Sequence, residues 1–397
     1  MLYAFTMVAG LLRRHKTTPI TSKPKENLMA SDGIVLLACG DMGPVHEPME
    51  VYGTLAKPVL ATGDIVFGQC ERLYSDRSYG KPTDLVTGNR PLKPHMVSIF
   101  TDCGFNVVSL AGNHAMDWGE DALLDTIAVF KKTGIQVMGA GRNLQEARQP
   151  AIIEKNGVRV AILAYCSVLR EGQEAGPNKI GVAPLRAHTS YEPYEYQAGV
   201  PPRVITVPYE EDLANMVADI SNAKKTAHVV VLSLHWGIHY IPRMIADYQT
   251  IAAKAAFAAG ADLILGHHPH VPKAIEVNNG KVCFYSLGNF IFSTDAGLKA
   301  NYAAGMKHYG VDLDIDEYPR CPHGKDSHKS FIAKAVLTRD GVTKVSFLPV
   351  QIDQKLRPEV LKHGDPRFDE MVNFLDWASE DYAHTFTVEG DEVVIMH

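Results

Sequence analysis

The sequence lacks several features, and each absence narrows its class. Its six cysteines, Cys39, Cys70, Cys103, Cys166, Cys283 and Cys321, are scattered singly with no CxxC pair, which argues against a thiolate zinc knuckle. Several lie in apolar, strand-like runs such as "VLLACG" and "KVCFYS", the setting of buried free thiols. That usage suits a reducing compartment, and the cytoplasm is the expected location. There is no basic excess. The formal net charge is −6, which argues against nucleic acid as a partner. There is no apolar run long enough to cross a bilayer, because "MLYAFTMVAGLL" is too short. There is no signal-peptide order either, since "RRHK" follows the apolar stretch instead of preceding it. Residues 1–30 therefore read as a poorly ordered extension, with weak membrane association left open. Internal repeats and low-complexity linkers are absent as well.

What is present is an ordinary globular composition. The chain has 397 residues, 46% hydrophobic and 21% charged, enough to bury a sizeable core. Apolar strand-like runs alternate with helical patterns from about residue 33 to residue 290. "GIVLLACGD", "DIVFGQCE", "NVVSLAGNH", "GVRVAILAYCS", "HVVVLSLHWG", "DLILGHHPH" and "KVCFYSLGNFIF" read as strands. "GEDALLDTIAVFKKTG" reads as a helix, with acids in its first turn, lysines in its last and Gly134 as a stop. "FIAKAVLTRDGVTKVSFLPVQI" reads as a hairpin around Asp340-Gly341. The alternation implies an α/β sheet with crossovers. The expected layout is an extension over residues 1–30, a main domain over 31–354, and a C-terminal helix and tail over 355–397 packed on it. Three long segments, roughly 72–98, 168–206 and 296–329, break the rhythm. They read either as substrate-shaping loops or as surface insertions.

The ends of the strands carry the chemistry. They place Asp41, Glu71, Asn113, His114, Asp117, His235, His267, His268, His270 and Asn289. In open α/β sheets, ligands bind beyond the carboxyl ends of strands, so these side chains should meet on one rim. Asp, Glu, Asn and His without thiolates suit one or two divalent ions such as Mn, Zn, Fe or Co. Glycines beside the motifs let the backbone turn sharply there.

The stretches "FNVVSLAGNHAMDWGEDALLDT", "GIQVMGAGRNLQEARQP", "VVVLSLHWG", "GADLILGHHPHV" and "FYSLGNFIF" resemble the CapA family of poly-γ-glutamate capsule-synthesis proteins. That family is similar to calcineurin-like metallophosphoesterases. The resemblance covers roughly residues 33–295 and implies a two-sheet α-β-β-α sandwich with long loop insertions. It implies Asp41, Glu71, Asn113, His235, His268 and His270 as metal ligands. His114 would assist the leaving group or orient the attacking water, and Asp117 would hold its imidazole in one tautomer. His267 falls at a variable position, outside the ligand set. Three departures accompany the match. The first motif is Asp41-Met42-Gly43, without the histidine of Asp-x-His. Gln69-Cys70-Glu71 stands where Asn-Leu-Glu is common. His239 stands two residues after "HWG", where a Glu is frequent.

A bound divalent ion lowers the pKa of water to about 7 and polarises a carbonyl or phosphoryl oxygen. The expected function is a metal-dependent hydrolase acting on an amide, ester or lactone of a small anionic, carboxylated substrate or a glutamyl-type polymer. His114, Asp117 and His239 are the expected catalytic groups, and His46, Arg72, Arg77 and Asn289 the expected substrate contacts. Arg72 and Arg77 open a segment that also holds Arg90, Lys93 and His95, suited to carboxylate recognition; a solvated loop is the equal alternative. An epimerase on the same site, a non-enzymatic factor binding an anionic polymer, and a phosphoesterase remain as other readings.

Overall fold

Alternate residues of the central strands enter two different cores. In the strand Val229–His235, Val229 and Val231 join one hydrophobic cluster while Val230, Leu232 and Leu234 join another. The same two-residue period divides Val158, Val160 and Ile162 from Ala161, Leu163 and Tyr165. A strand buried on both faces reads as a continuous apolar run, as these do. The computed structural model describes residues 33–77, 91–197, 199–294, 306–307, 309–321 and 323–395. The expected extension over residues 1–30 and Arg90 lie outside them. Gly33 to His397 form one unit.

In chain order, β1 (Ile34–Gly43), β2 (Ile65–Cys70), β3 (Val107–Ser109) and β4 (Gln136–Met138) run parallel to one another. The short β5 (Ala140–Gly141) precedes β6 (Ala151–Lys155) and β7 (Val158–Cys166), and β8 (Gly181–Val182) returns to pair with β5. β9 (Ala187–Glu192) and β10 (Arg203–Pro208) make a separate ribbon. β11 (Val229–His235), β12 (Leu263–His267), β13 (Ile275–Asn278), β14 (Lys281–Phe284) and β15 (Asn289–Phe292) follow. The chain closes with β16 (Lys329–Thr338), β17 (Gly341–Ile352), β18 (Pro358–Val360), β19 (Phe386–Glu389) and β20 (Glu392–Ile395).

The first sheet has the order β19-β20-β17-β16-β1-β2-β3-β4, with β15 beside β1 and β18 beside β17. The second has the order β13-β14-β12-β11-β7-β6. Val229, Val231, Leu263 and Leu265 of the second sheet share a cluster with Leu36, Ala38 and Phe67 of the first. Outside the first sheet, α1 (Gly119–Thr133) buries Leu123, Ile127 and Phe130, and ends at Gly134 with φ 82°. Only a residue without Cβ takes that turn at no cost. Outside the second sheet, α2 (Glu210–Lys224) and α3 (Asp247–Ala259) bury Met216, Ile220, Ala252 and Ala256. α4 (Pro366–Ser379) opens on Asp365, whose carboxylate accepts the Arg367 N–H, with Pro366 at the first helical position. The layers are those of the α-β-β-α sandwich that the resemblance implies.

Three details differ from the sequence reading. "KVCFYSLGNFIF" is two strands, not one: β14 lies in the second sheet and β15 in the first. The chain crosses between them at Gly288, whose φ is 76° and where a Cβ would stand 3.0 Å from Pro272. The C-terminal tail is not a simple tail. β19 and β20 form a hairpin that pairs with β17 through Ser346 and Val394. Much of the 168–206 segment becomes the β9–β10 ribbon, which leans on α3 through the Thr206 hydroxyl, acceptor of the Tyr248 N–H at 3.1 Å.

Candidate metal centre

The strand ends converge where the two sheets meet. Asp41 lies in β1, in register with Gln69 of β2 and Asn289 of β15. Glu71 directly follows β2, and Asn113 and His114 follow β3. His235 ends β11 opposite His267, which ends β12. The next residues, His268 and His270, adopt φ values of 95° and 58°. Non-glycine residues hold such values only where surrounding contacts enforce them. One contact is the His268 N–H, which donates to Asp41 Oδ2 at 3.1 Å.

Two cradles result, and Glu71 belongs to both. One gathers Asp41, Glu71 and His270, the other Glu71, His235 and His268; within each, the three donor atoms lie within 4.8 Å of one another. Asn113 Oδ1 and Glu71 Oε1 approach His235 Nε2 at 2.9 and 3.3 Å. The second cradle thus has a fourth donor beside it. Asn289 does not face open space. Its amide donates to the carbonyls of His270 and Ser327, so its Oδ1 accepts from His270 Nδ1 at 2.8 Å. That bond leaves His270 Nε2 free of a proton and directed at Glu71 Oε2, 3.8 Å away.

The cradles leave buried polar atoms unmatched. Asp41 Oδ1, both Glu71 oxygens, His235 Nδ1 and His268 Nδ1 have no hydrogen-bond partner. Natural folds rarely tolerate this without a ligand or ion. Burial pushes both carboxyls up, and the neighbouring Asp41 charge pushes Glu71 up further. Burial holds the His235 and His268 imidazoles well below their ordinary value, with neighbouring imidazoles adding to it. Neutral imidazoles beside carboxylates short of positive charge are a donor set for a divalent cation. The residues present therefore fit the metal implied by the resemblance.

His114 sits beside the second cradle. Its Nδ1 meets Asp117 Oδ2 at 2.7 Å, and Asp117 Oδ1 accepts from Arg170 at 3.0 Å. With Nδ1–H donated to a carboxylate, the other ring nitrogen is an acceptor, 3.4 Å from Asn113 Nδ2. The His239 ring lies 3.9 Å from that of His268 and parallel to that of His270, at 5.7 Å and 4°. Arg72 is buried, with its guanidinium 4.6 Å over Phe292 and donating to the Ser293 carbonyl at 2.9 Å. His46 is half-buried in the segment after β1, its Nε2 without a hydrogen-bond partner. Arg77 is turned the other way. It pairs with Asp121 and Asp125 on α1, which commits its guanidinium to the outer face.

His267, which the sequence places at a strand end and outside the ligand set, is fully buried, with Nδ1 3.5 Å from Asp41 Oδ1. Other neighbours escaped sequence reasoning. His323 and Tyr240 lie 5.5 and 5.8 Å from the His270 ring, and Tyr309 lies 6.0 Å from His239. Arg170, Tyr309 and His323 sit in or beside long segments without periodicity, where spacing carries no placement signal.

An α-β-β-α sandwich with a carboxylate and histidine seam between its sheets defines the structural class. Residues 25–294 match the family described as "Bacterial capsule synthesis protein PGA_cap", and the chain belongs to that family. It is 33% identical over 296 residues to "PGA biosynthesis protein CapA" of Bacillus subtilis (strain 168), covering 72% of this chain and 70% of that protein. It is 30% identical over 303 residues to "Capsule biosynthesis protein CapA" of Bacillus anthracis, covering 73% of this chain and 66% of that one. Among solved structures, a calcineurin-like phosphoesterase from Bacillus subtilis is similar at a TM-score of 0.37 and 12% identity, over 78% of this chain and 88% of that chain.

Proposed function

We propose that the protein is a metal-dependent hydrolase that cleaves an amide, ester or lactone of an anionic, carboxylated substrate. The observation that carries this reading is the pair of buried cradles sharing Glu71, whose carboxylate and imidazole atoms lack partners. Asp41, Glu71 and His270 would hold one divalent ion, and Glu71, Asn113, His235 and His268 a second. When bound, such an ion supplies an activated water and polarises the scissile carbonyl.

The chain's own groups supply the rest. Asp117, fixed by Arg170, keeps the proton of His114 on Nδ1. The opposite nitrogen, an acceptor in that tautomer, is left to take a proton from the attacking water and pass it to the departing atom. His239, neutral through burial, packs its ring on His268 of one cradle and beside His270 of the other. Arg72 is a cation beside Glu71; burial lowers its pKa, and the Glu71 and Asp117 charges oppose that. It would draw a substrate carboxylate toward the seam. The name of the first relative, a PGA biosynthesis protein, together with the resemblance to poly-γ-glutamate capsule proteins, supports a carboxylated substrate of glutamyl type. No helix among the described residues is long and apolar enough to cross a membrane.

The test is metal content per chain for protein purified without added metal or a histidine tag, for wild type and His268→Ala together. About one or two equivalents in the wild type, lost in the variant, is the expected result. Turnover in water labelled with oxygen-18 then places the label in the product. Deuterium from solvent appearing on carbon would instead establish an epimerase, and no metal in either protein would favour a polymer-binding role.

A further inference from the structure

Lys273 is fully buried three residues beyond His270, and no step above uses it. A buried amino group is costly unless its donors are met. Here they are met by backbone. Nζ donates to the carbonyls of Ile241 at 2.6 Å and Met244 at 2.7 Å. No carboxylate pairs with it among the described residues. Both carbonyls belong to the loop that leaves β11 after His235 and carries His239 and Tyr240.

The same loop is tied on its outer side. Arg243 forks between Glu380 at 2.6 Å and Asp381 at 2.8 Å, just past α4, and lies 5.6 Å over the Trp377 ring. Inward, the Tyr240 N–H donates to the Pro269 carbonyl at 2.9 Å, inside the histidine turn itself. Tyr240 takes φ 58°, a conformation that a loop without such ties would relax. The brace at Glu380 and Asp381 comes from chain beyond the family-matched residues 25–294.

We propose that Lys273 is a positioning residue of the metal centre: it fixes the 239–244 loop so that His239 lies on His268 and covers the cradles, with Arg243 as the outer brace. The proposal rests on the reading of the cradles as a metal site. Two acceptors require two N–H groups, which the amine supplies in either protonation state.

The test uses full-length wild type, Lys273→Met, His239→Ala and the double variant, each loaded with cobalt(II) and dialysed. Cobalt per chain is measured first, then the rate at which excess EDTA removes it. All four proteins should hold the wild-type complement, since no proposed ligand is altered. Each single variant should release cobalt about tenfold faster, the scale of one lost buried hydrogen bond. The double variant should be no faster than the singles, because Lys273 acts through His239. Arg243→Ala should give a smaller gain, about two- to threefold. Wild-type release from Lys273→Met, or multiplied effects in the double variant, would overturn the proposal. If Lys273→Met fails to fold, a wild-type release rate in Arg243→Ala and in Glu380→Gln/Asp381→Asn overturns it instead. Wild-type protein that takes up no cobalt sinks the metal reading and this proposal together, whereas uptake with unchanged release sinks only the positioning role.

Discussion

Carboxylates are treated in opposite ways at the seam between the sheets and around the outside of the sandwich. On the outside, Asp212 takes Arg186 at 2.8 Å through both oxygens. Asp219 takes Arg148 at 2.6 and 2.8 Å and the Tyr165 hydroxyl at 2.6 Å. Glu392 takes Lys334 and Lys344 at 2.7 and 2.6 Å. At the seam, Asp41 and Glu71 keep oxygens that nothing satisfies. In both regions acids are drawn out of solvent, yet only on the outside does a Lys or Arg side chain bond the carboxylate; at the seam Arg72 lies near Glu71 but donates to the backbone carbonyls of Glu71 and Ser293. Pairing on the outside serves the fold. The deficit at the seam is one that a bound cation would cancel.

Four experiments would break or sharpen that contrast. The largest effect is expected from His268→Ala or His235→Ala, which should abolish metal binding at the second cradle with the fold retained by circular dichroism. Full metal content in both would make the seam a structural oddity. His114→Ala should keep its metal and lose turnover by about 10²- to 10⁴-fold, the usual range for a proton-transfer group. Loss of metal in that variant would move His114 among the ligands. Asp212→Ala should destabilise the protein by about 1–2 kcal/mol in denaturant titrations, with or without chelator, because the Arg186 N–H and guanidinium lose their acceptor. Glu71→Gln should behave in the reverse sense. In chelator it should leave the melting temperature unchanged or higher, since it removes a raised, uncompensated carboxyl, while with metal it should lose the stabilisation that the ion provides.

The smallest effect is on pH dependence. Burial pushes the Lys273 ammonium down to about 7, below its unfolded value of about 10. Between those values the unfolded chain binds more protons, so Lys273 makes stability rise as pH climbs through that window. Lys273→Met should remove this component of the slope. An unchanged slope would mean that the amine is not the titrating group.

The seam was legible in the sequence because each apolar run stops at a polar residue, and the carboxyl ends of parallel strands share a rim. Asp41, Glu71, Asn113, His235, His268 and His270 meet for that reason. Asn289 was legible as a neighbour, but its bond to His270 depends on β15 joining β1, which periodicity does not reveal. Arg77 looked equivalent to Arg72 along the chain. Two ion pairs with α1, to Asp121 and Asp125, separate them. Tyr240 and Lys273 were hidden because their roles depend on backbone carbonyls, which carry no residue signature. The C-terminal hairpin was hidden because its strands are short and their partner, β17, lies far back in the chain.

The crossing at Gly288 has a mechanical consequence. One strand brings Asn289 into register with Asp41 of the first sheet, while its amide oxygen holds His270, which hangs from the second. Sliding one layer over the other would therefore pull the two halves of the first cradle apart. An ion held in that cradle would act as a rivet and stiffen the sandwich against shear.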